Sequence, residues 1–109
     1  MKITIRNIFT GASAPPGFEE SLTLFENAQV RVERIVSNAH SSPAGFWYDQ
    51  PEDEWVIVLR GHATLEFASG ESVAMRAGDH VTIASHARHR VVETGAETIW
   101  LAVHVKPQP

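Results

Sequence analysis

Asp53-Glu54-Trp55-Val56-Ile57-Val58-Leu59-Arg60-Gly61 is the stretch on which the fold turns. Successive side chains of an extended chain point to opposite faces, so Glu54, Val56 and Val58 share one face and Trp55, Ile57 and Leu59 the other. Both faces want cover. One would meet a barrel interior, and the other an N-terminal strand such as 29–36 or a second subunit. Glu54 stands on the inward face beside two valines, where a carboxylate without partners is costly.

Working outward, the same period-two alternation recurs at 2–6, 21–25, 29–36, 45–49, 63–67, 72–76, 80–84, 88–93 and 98–105. Turn-forming residues separate the runs: Asn27, Gly61, Ser69-Gly70, Ala77-Gly78-Asp79 and Thr94-Gly95. With 55–59 this makes about ten short strands and no convincing helical period, which argues for a sandwich or barrel. Residues 10–17, with Pro15-Pro16 between two glycines, read as a loop because paired prolines cannot serve a central strand.

The 109 residues suit one domain, spanning 1–109 with a barrel core at about 29–105. A net charge of −4 offers phosphate backbones no attraction, so nucleic acid is not an expected partner. No stretch approaches the roughly 18 apolar residues of a membrane span, and the N-terminus lacks the apolar run of a signal peptide. A cytoplasmic location is the expectation. The absence of cysteine excludes disulfides, thiolate metal sites and thiol nucleophiles, so any site is built from nitrogen and oxygen. No nucleophile elbow, phosphate loop or dinucleotide fingerprint is present.

Two longer motifs carry a resemblance. From Gly45 to Gly61, Glu54 and the closing Gly61 keep the spacing of a pattern of two alternating histidines, a gap of three or four, a glutamate, six residues and a glycine. From Gly78 to His89, the end residues keep the spacing of glycine, five residues, proline, one residue, glycine, two residues and histidine. In these features the chain resembles the cupin family. The resemblance implies an all-β, cupin-like β-barrel of the double-stranded β-helix (jelly-roll) type with N-terminal strands. It covers about 45 residues, and this chain departs from it in four places. The motif histidines are replaced by Trp47 and Asp49, or by Tyr48 and Gln50, according to the gap; Ala84 replaces the proline and His86 the glycine.

Ligands at two adjacent strand ends can converge inside a barrel, where imidazole and carboxylate suit manganese, iron, zinc or nickel. The candidate metal set is Asp49, Glu54 and His89, with His86 a further imidazole that could instead bond a substrate or face the rim. Against this, Asp49, Gln50 and Glu52 also read as a solvated loop, Glu54 as a hydrogen-bonded or arginine-paired carboxylate, and His89 as a satisfied interior histidine. Trp47, Tyr48 and Gln50, with Trp100 and His104 from the last strand, are candidate pocket-lining residues. Arg88 and Arg90 flank an inward His89 and so point outward, toward Glu93, Glu97 or solvent. His40, His62 and His80 lie in or beside turns and are read as exposed.

Three functions stay open: a metal-dependent enzyme acting on a small organic molecule, a binding module that has lost the metal with the two histidines, or a sensory or structural dimer. In the enzyme reading Glu54 or His86 transfers the proton. A homodimer is expected because a 12.0 kDa barrel has much surface for its volume.

Overall fold

The computed structural model describes residues 1–109 and is all-β. Its strands are β1 (Glu19–Glu26), β2 (Val30–Ser37), β3 (Asp53–Arg60), β4 (His62–Phe67), β5 (Ser72–Arg76), β6 (His80–Ile83), β7 (His89–Thr94) and β8 (Thr98–Val105). They form a five-stranded sheet, ordered β1-β2-β8-β3-β6, and a three-stranded sheet, ordered β5-β4-β7; every pairing is antiparallel. The architecture is a jelly roll, with no helix long and apolar enough to cross a membrane.

The core forms where the inner faces of the two sheets meet. Val56, Val58, Trp100 and Ala102 from the larger sheet pack with Ala63, Leu65, Met75 and Val91 from the smaller one, and Ile83 closes the edge. This fills one part of the interior only. Toward the start of β3 the inward positions become polar: Arg31, His104 and Glu54 are successive register partners across β2, β8 and β3.

Turn chemistry fixes the ends of β3 and β5. Gly61 has φ +83°, and a Cβ there would lie 2.7 Å from Thr98 Oγ1 and 2.9 Å from the Glu97 carbonyl, so the β3–β4 turn admits only glycine. At Gly78 (φ +94°) the amide donates to the Val58 carbonyl, while Asp79 accepts from the Arg76 amide.

Three sequence expectations are corrected. Residues 2–6 alternate like a strand but pair with nothing in their own chain, and all are exposed. Residues 45–49 begin in a turn with Gly45 at φ +81°, and only Tyr48 makes a bridge, to His89. The strand at 30–37 does not cover the outer face of β3 either, because it lies in the same sheet, beyond β8. Residues 7–14 are pinned instead to one end: Arg34 donates to the carbonyls of Ile8 and Thr10, Asn38 donates to that of Ala14, and the Arg60 guanidinium sits over the Phe9 ring. The rest of that face stays open.

Candidate functional site: an acceptor-rich cavity in the barrel

A cavity of about 260 Å³ opens where the inward residues turn polar. Its polar lining comes from β1 (Glu19, Ser21), β2 (Arg31, Glu33), β3 (Glu54), β7 (His89), β8 (His104) and the segment before β3 (Tyr48, Gln50). Trp100 and several aliphatic side chains form its floor. Gln50 reaches it because residues 48–50 are stitched to the β6–β7 connection: Tyr48 and His89 exchange two backbone bonds, and the His86 amide donates to the Gln50 carbonyl.

Glu54 and His89 face each other, with Oε1 3.8 Å from Nε2, and both are buried. Gln50 donates to Glu54 Oε1 at 2.8 Å. The His89 Nδ1 lies 2.8 Å from the Ala87 carbonyl, which can only accept, so Nδ1 carries the hydrogen and the neutral ring offers a lone pair at Nε2. Tyr48 stacks on this imidazole, with ring centroids 5.4 Å apart.

A second buried group stands beside the first. His104, the register partner of Glu54, bonds Glu33 Oε1 through Nε2 at 2.8 Å, and that bond holds the Glu33 carboxyl below its usual range. Its Nδ1 is buried without a hydrogen-bond partner, 3.8 Å from Glu52 Oε1. Arg31 grips Glu52 with two nitrogens, at 2.7 and 3.3 Å. Burial pushes the Glu19 carboxyl up, opposed by the His40 ring 3.7 Å away and by a bond from Ser37. The same burial, reinforced by the charges of Glu19, Glu54 and Glu33, pushes the Tyr48 phenol up to about 12.

The alternative readings of the first motif now separate. Tyr48 and Gln50 line the cavity, whereas Asp49 turns away and bonds His86 Nδ1 at 2.7 Å on the exposed rim. His86 holds φ +62°, so the left-handed turn of the family glycine persists with a histidine in it. Trp47 lies beneath the guanidinium groups of Arg88 and Arg90, outside the cavity lining. Arg90 also bonds Glu66, rather than Glu93 or Glu97. Tyr48, Gln50, Trp100 and His104 therefore meet Glu54 and His89 at one site; Trp47, Asp49 and His86 do not. Sequence reasoning missed Glu19, Arg31 and Glu33. The alternation of Arg31, Glu33 and Ile35 put them on one face and was the available signal.

A sequence model of the family described as "Cupin domain" matches residues 33–104. The chain belongs to the cupin family. A solved structure from Ralstonia eutropha JMP134, described as a "putative mannose-6-phosphate isomerase", is 40% identical with TM-score 0.89, over 96% of this chain and 100% of that one. A conserved protein of unknown function from Streptococcus pyogenes shares 16% identity at TM-score 0.78, over 100% and 92% of the two chains. A cupin-superfamily protein from Desulfitobacterium hafniense DCB-2 shares 14% at TM-score 0.75, over 87% and 84%. These last two are alike in fold alone. No curated protein matches the chain.

The donor set of this cupin does not fit a divalent metal. No three His, Asp or Glu side chains converge in a metal-holding group. The four candidate ligands fall into two separate pairs, Glu54 with His89 inside and Asp49 with His86 on the rim. At the positions of the motif histidines an amide and a phenol face the cavity, and that phenol stays protonated at ordinary pH.

Proposed function

We propose that this cupin binds a small polar organic molecule in the barrel and moves a proton on it with His89. The observation that carries the reading is the buried Glu54–His89 pair at the wall of the 260 Å³ cavity. That volume lies just below the ~300–1,000 Å³ of sites for drug-sized ligands, which suits a molecule of monosaccharide size. His89 Nε2 is the base. Glu54, oriented by Gln50, stands where it would stabilise the imidazolium that forms. The isomerase description of the Ralstonia relative is in keeping with proton-transfer chemistry. A binding module without turnover is the second reading, favoured by Tyr48 and Gln50, which take the places of metal-ligating histidines.

The test is a screen of small polar metabolites by ligand-observed NMR in deuterated water. A bound compound should gain deuterium at carbon, and His89→Ala should abolish the exchange while leaving binding. Binding without exchange would favour the module, and no binding would sink both readings.

We infer that a second copy of the chain covers the outer face of the five-stranded sheet. That face carries Val32, Leu101, Val103, Trp55 and Ile57 half-buried, and Leu22 and Phe25 exposed. Four strands about 26 Å long and the shorter β6, about 4.8 Å apart, present on the order of 550 Å². A stable interface needs about 800 Å² per partner. Residues 2–6, with exposed Ile3 and Ile5, are free to supply the remainder, and Lys2 and Arg6 complement Glu20 on β1.

A further inference from the structure

The reading of the cavity as a ligand pocket leaves the ligand open, and the cavity's own hydrogen-bonding narrows it. Glu19, Glu33 and Glu54 line the cavity as carboxyl groups, and ionised carboxylates only accept. Both imidazoles spend their N–H on the protein: His89 Nδ1 on the Ala87 carbonyl, His104 Nε2 on Glu33. In their neutral forms His89 Nε2 and His104 Nδ1 are therefore acceptors as well. The latter makes no hydrogen bond on a side chain only 5% exposed, and its charged neighbour is Glu52 Oε1 at 3.8 Å, which Arg31 holds.

The donors of the cavity are few and mostly committed. Arg31 is taken by Glu52 and lies 3.9 Å from Glu33, and Gln50 donates to Glu54. Hydroxyls of Tyr48 and Ser21 remain. Charge tells the same way: Glu19, Glu33 and Glu54 line the cavity with one guanidinium, that of Arg31, which Glu52 holds, and burial, with the neighbouring carboxylates adding to it, raises the pKa of both Glu19 and Tyr48. A carboxylate or phosphate ligand would add repulsion and bring further acceptors. A cation would relieve the repulsion and supply donors, and the aromatic side chains of Tyr48 and Trp100 are in the lining.

From these groups together we infer that the ligand of this pocket is a small protonated amine rich in hydrogen-bond donors, of the size and kind of an amino sugar, and that the pocket rejects phosphorylated sugars. The inference rests on the ligand-pocket reading above. The phosphate in the description of the Ralstonia relative does not carry over to this chain, because no free cation in the cavity would receive it.

The experiment is a titration of the full chain with glucosamine, glucose and glucose 6-phosphate, followed through the Trp100 indole and the His89 and His104 ring resonances. Glucosamine should bind at least ~10-fold more tightly than glucose, and glucose 6-phosphate more weakly than both. Glu33→Gln and Glu19→Gln should each weaken glucosamine by roughly 10-fold and leave glucose within about 2-fold. Glucose binding as tightly as glucosamine, or glucose 6-phosphate binding best, would overturn the charge assignment and leave the pocket standing. No movement of the cavity resonances with any probe at millimolar concentration would remove the ligand-pocket reading too. Should a glutamine variant fail to fold, the ranking of the three probes on the unaltered protein still decides.

Discussion

On the inner face of the five-stranded sheet the register row Arg31, His104 and Glu54 crosses three strands, whereas on the outer face the row Phe25, Val32, Val103 and Trp55 crosses four. Charge lies inside and apolar surface outside, the reverse of what burial alone would arrange. Each inversion needs a partner to offset it. The cavity at the inner row draws Glu19, Glu33 and Glu54 from water with few donors to spare, and the outer row leaves aliphatic and indole surface wet. The same strands thus present a small-molecule face and a protein face, separated by the thickness of one sheet.

The largest effect is expected outside. In the dimer proposed here, Val103→Glu places an unpaired carboxylate among Val32, Trp55 and their copies. At about 3–5 kcal/mol for a buried unpaired charge, dissociation should rise more than ~100-fold. Light scattering at micromolar concentration should show the mass of two chains falling to one. A single-chain mass for the unaltered protein would show that no second copy covers this face.

Inside, the expected effects are smaller and opposite in sign for neighbouring carboxyls. Glu19 has its pKa raised in the folded state, so its contribution to stability is fully present below the ordinary carboxylate range and is lost as pH rises through the raised value. Glu19→Gln should therefore stabilise the free protein at neutral pH, by about 0.5–2 kcal/mol in urea unfolding, and give no such gain at acid pH. Glu33 has its pKa lowered by the bond from His104, so its contribution is present above the ordinary range and is lost as pH falls through the lowered value. Glu33→Gln should cost stability at neutral pH and little in acid. The same sign for both variants would break the picture of one carboxyl raised by burial and one lowered by its histidine in a single cavity.

Tyr48 is the chain's one tyrosine, so tyrosinate absorbance reads it alone. Its midpoint should lie near 12 rather than at the ordinary value of about 10, and fall when Glu54 is replaced by Gln. An ordinary midpoint would mean that the cavity is more hydrated and less negative than its geometry implies. The smallest expected effect is that of metal. Manganese or zinc should shift unfolding by less than about 0.5 kcal/mol, and elemental analysis should find less than one ion per chain. Stoichiometric metal lost on Glu54→Gln would show that the inner row gathers ligands after all.

Much of this was legible in the chain. The spacing of Glu54 to Gly61 and of Gly78 to His89 placed a carboxylate and an imidazole at two strand ends, and the structure brings them to 3.8 Å. Strands 72–76 and 98–105 lie where alternation and turns placed them. Residues 2–6 were misread because alternation reports a surface fit for a sheet, not whether a neighbouring strand exists. Asp49 was placed among the metal ligands and Gln50 only in the pocket lining, the reverse of their positions in the fold, since a gap of three or four differs by one residue and one residue reverses the face. Tertiary structure made that choice by bridging Tyr48 to His89.

Strand β2 marks the boundary between the two kinds of knowledge. Its sequence determines two faces, Val30 and Val32 on one and Arg31 and Glu33 on the other, and by itself suggests that the valines go in. In the fold the charged face turns inward, because β2 pairs with β8 in a register that sets Arg31 opposite His104, and Ile35, on that same face, opposite Trp100 of the core. Periodicity along one strand fixes which residues share a side, but which side is the interior depends on packing between strands far apart in the chain.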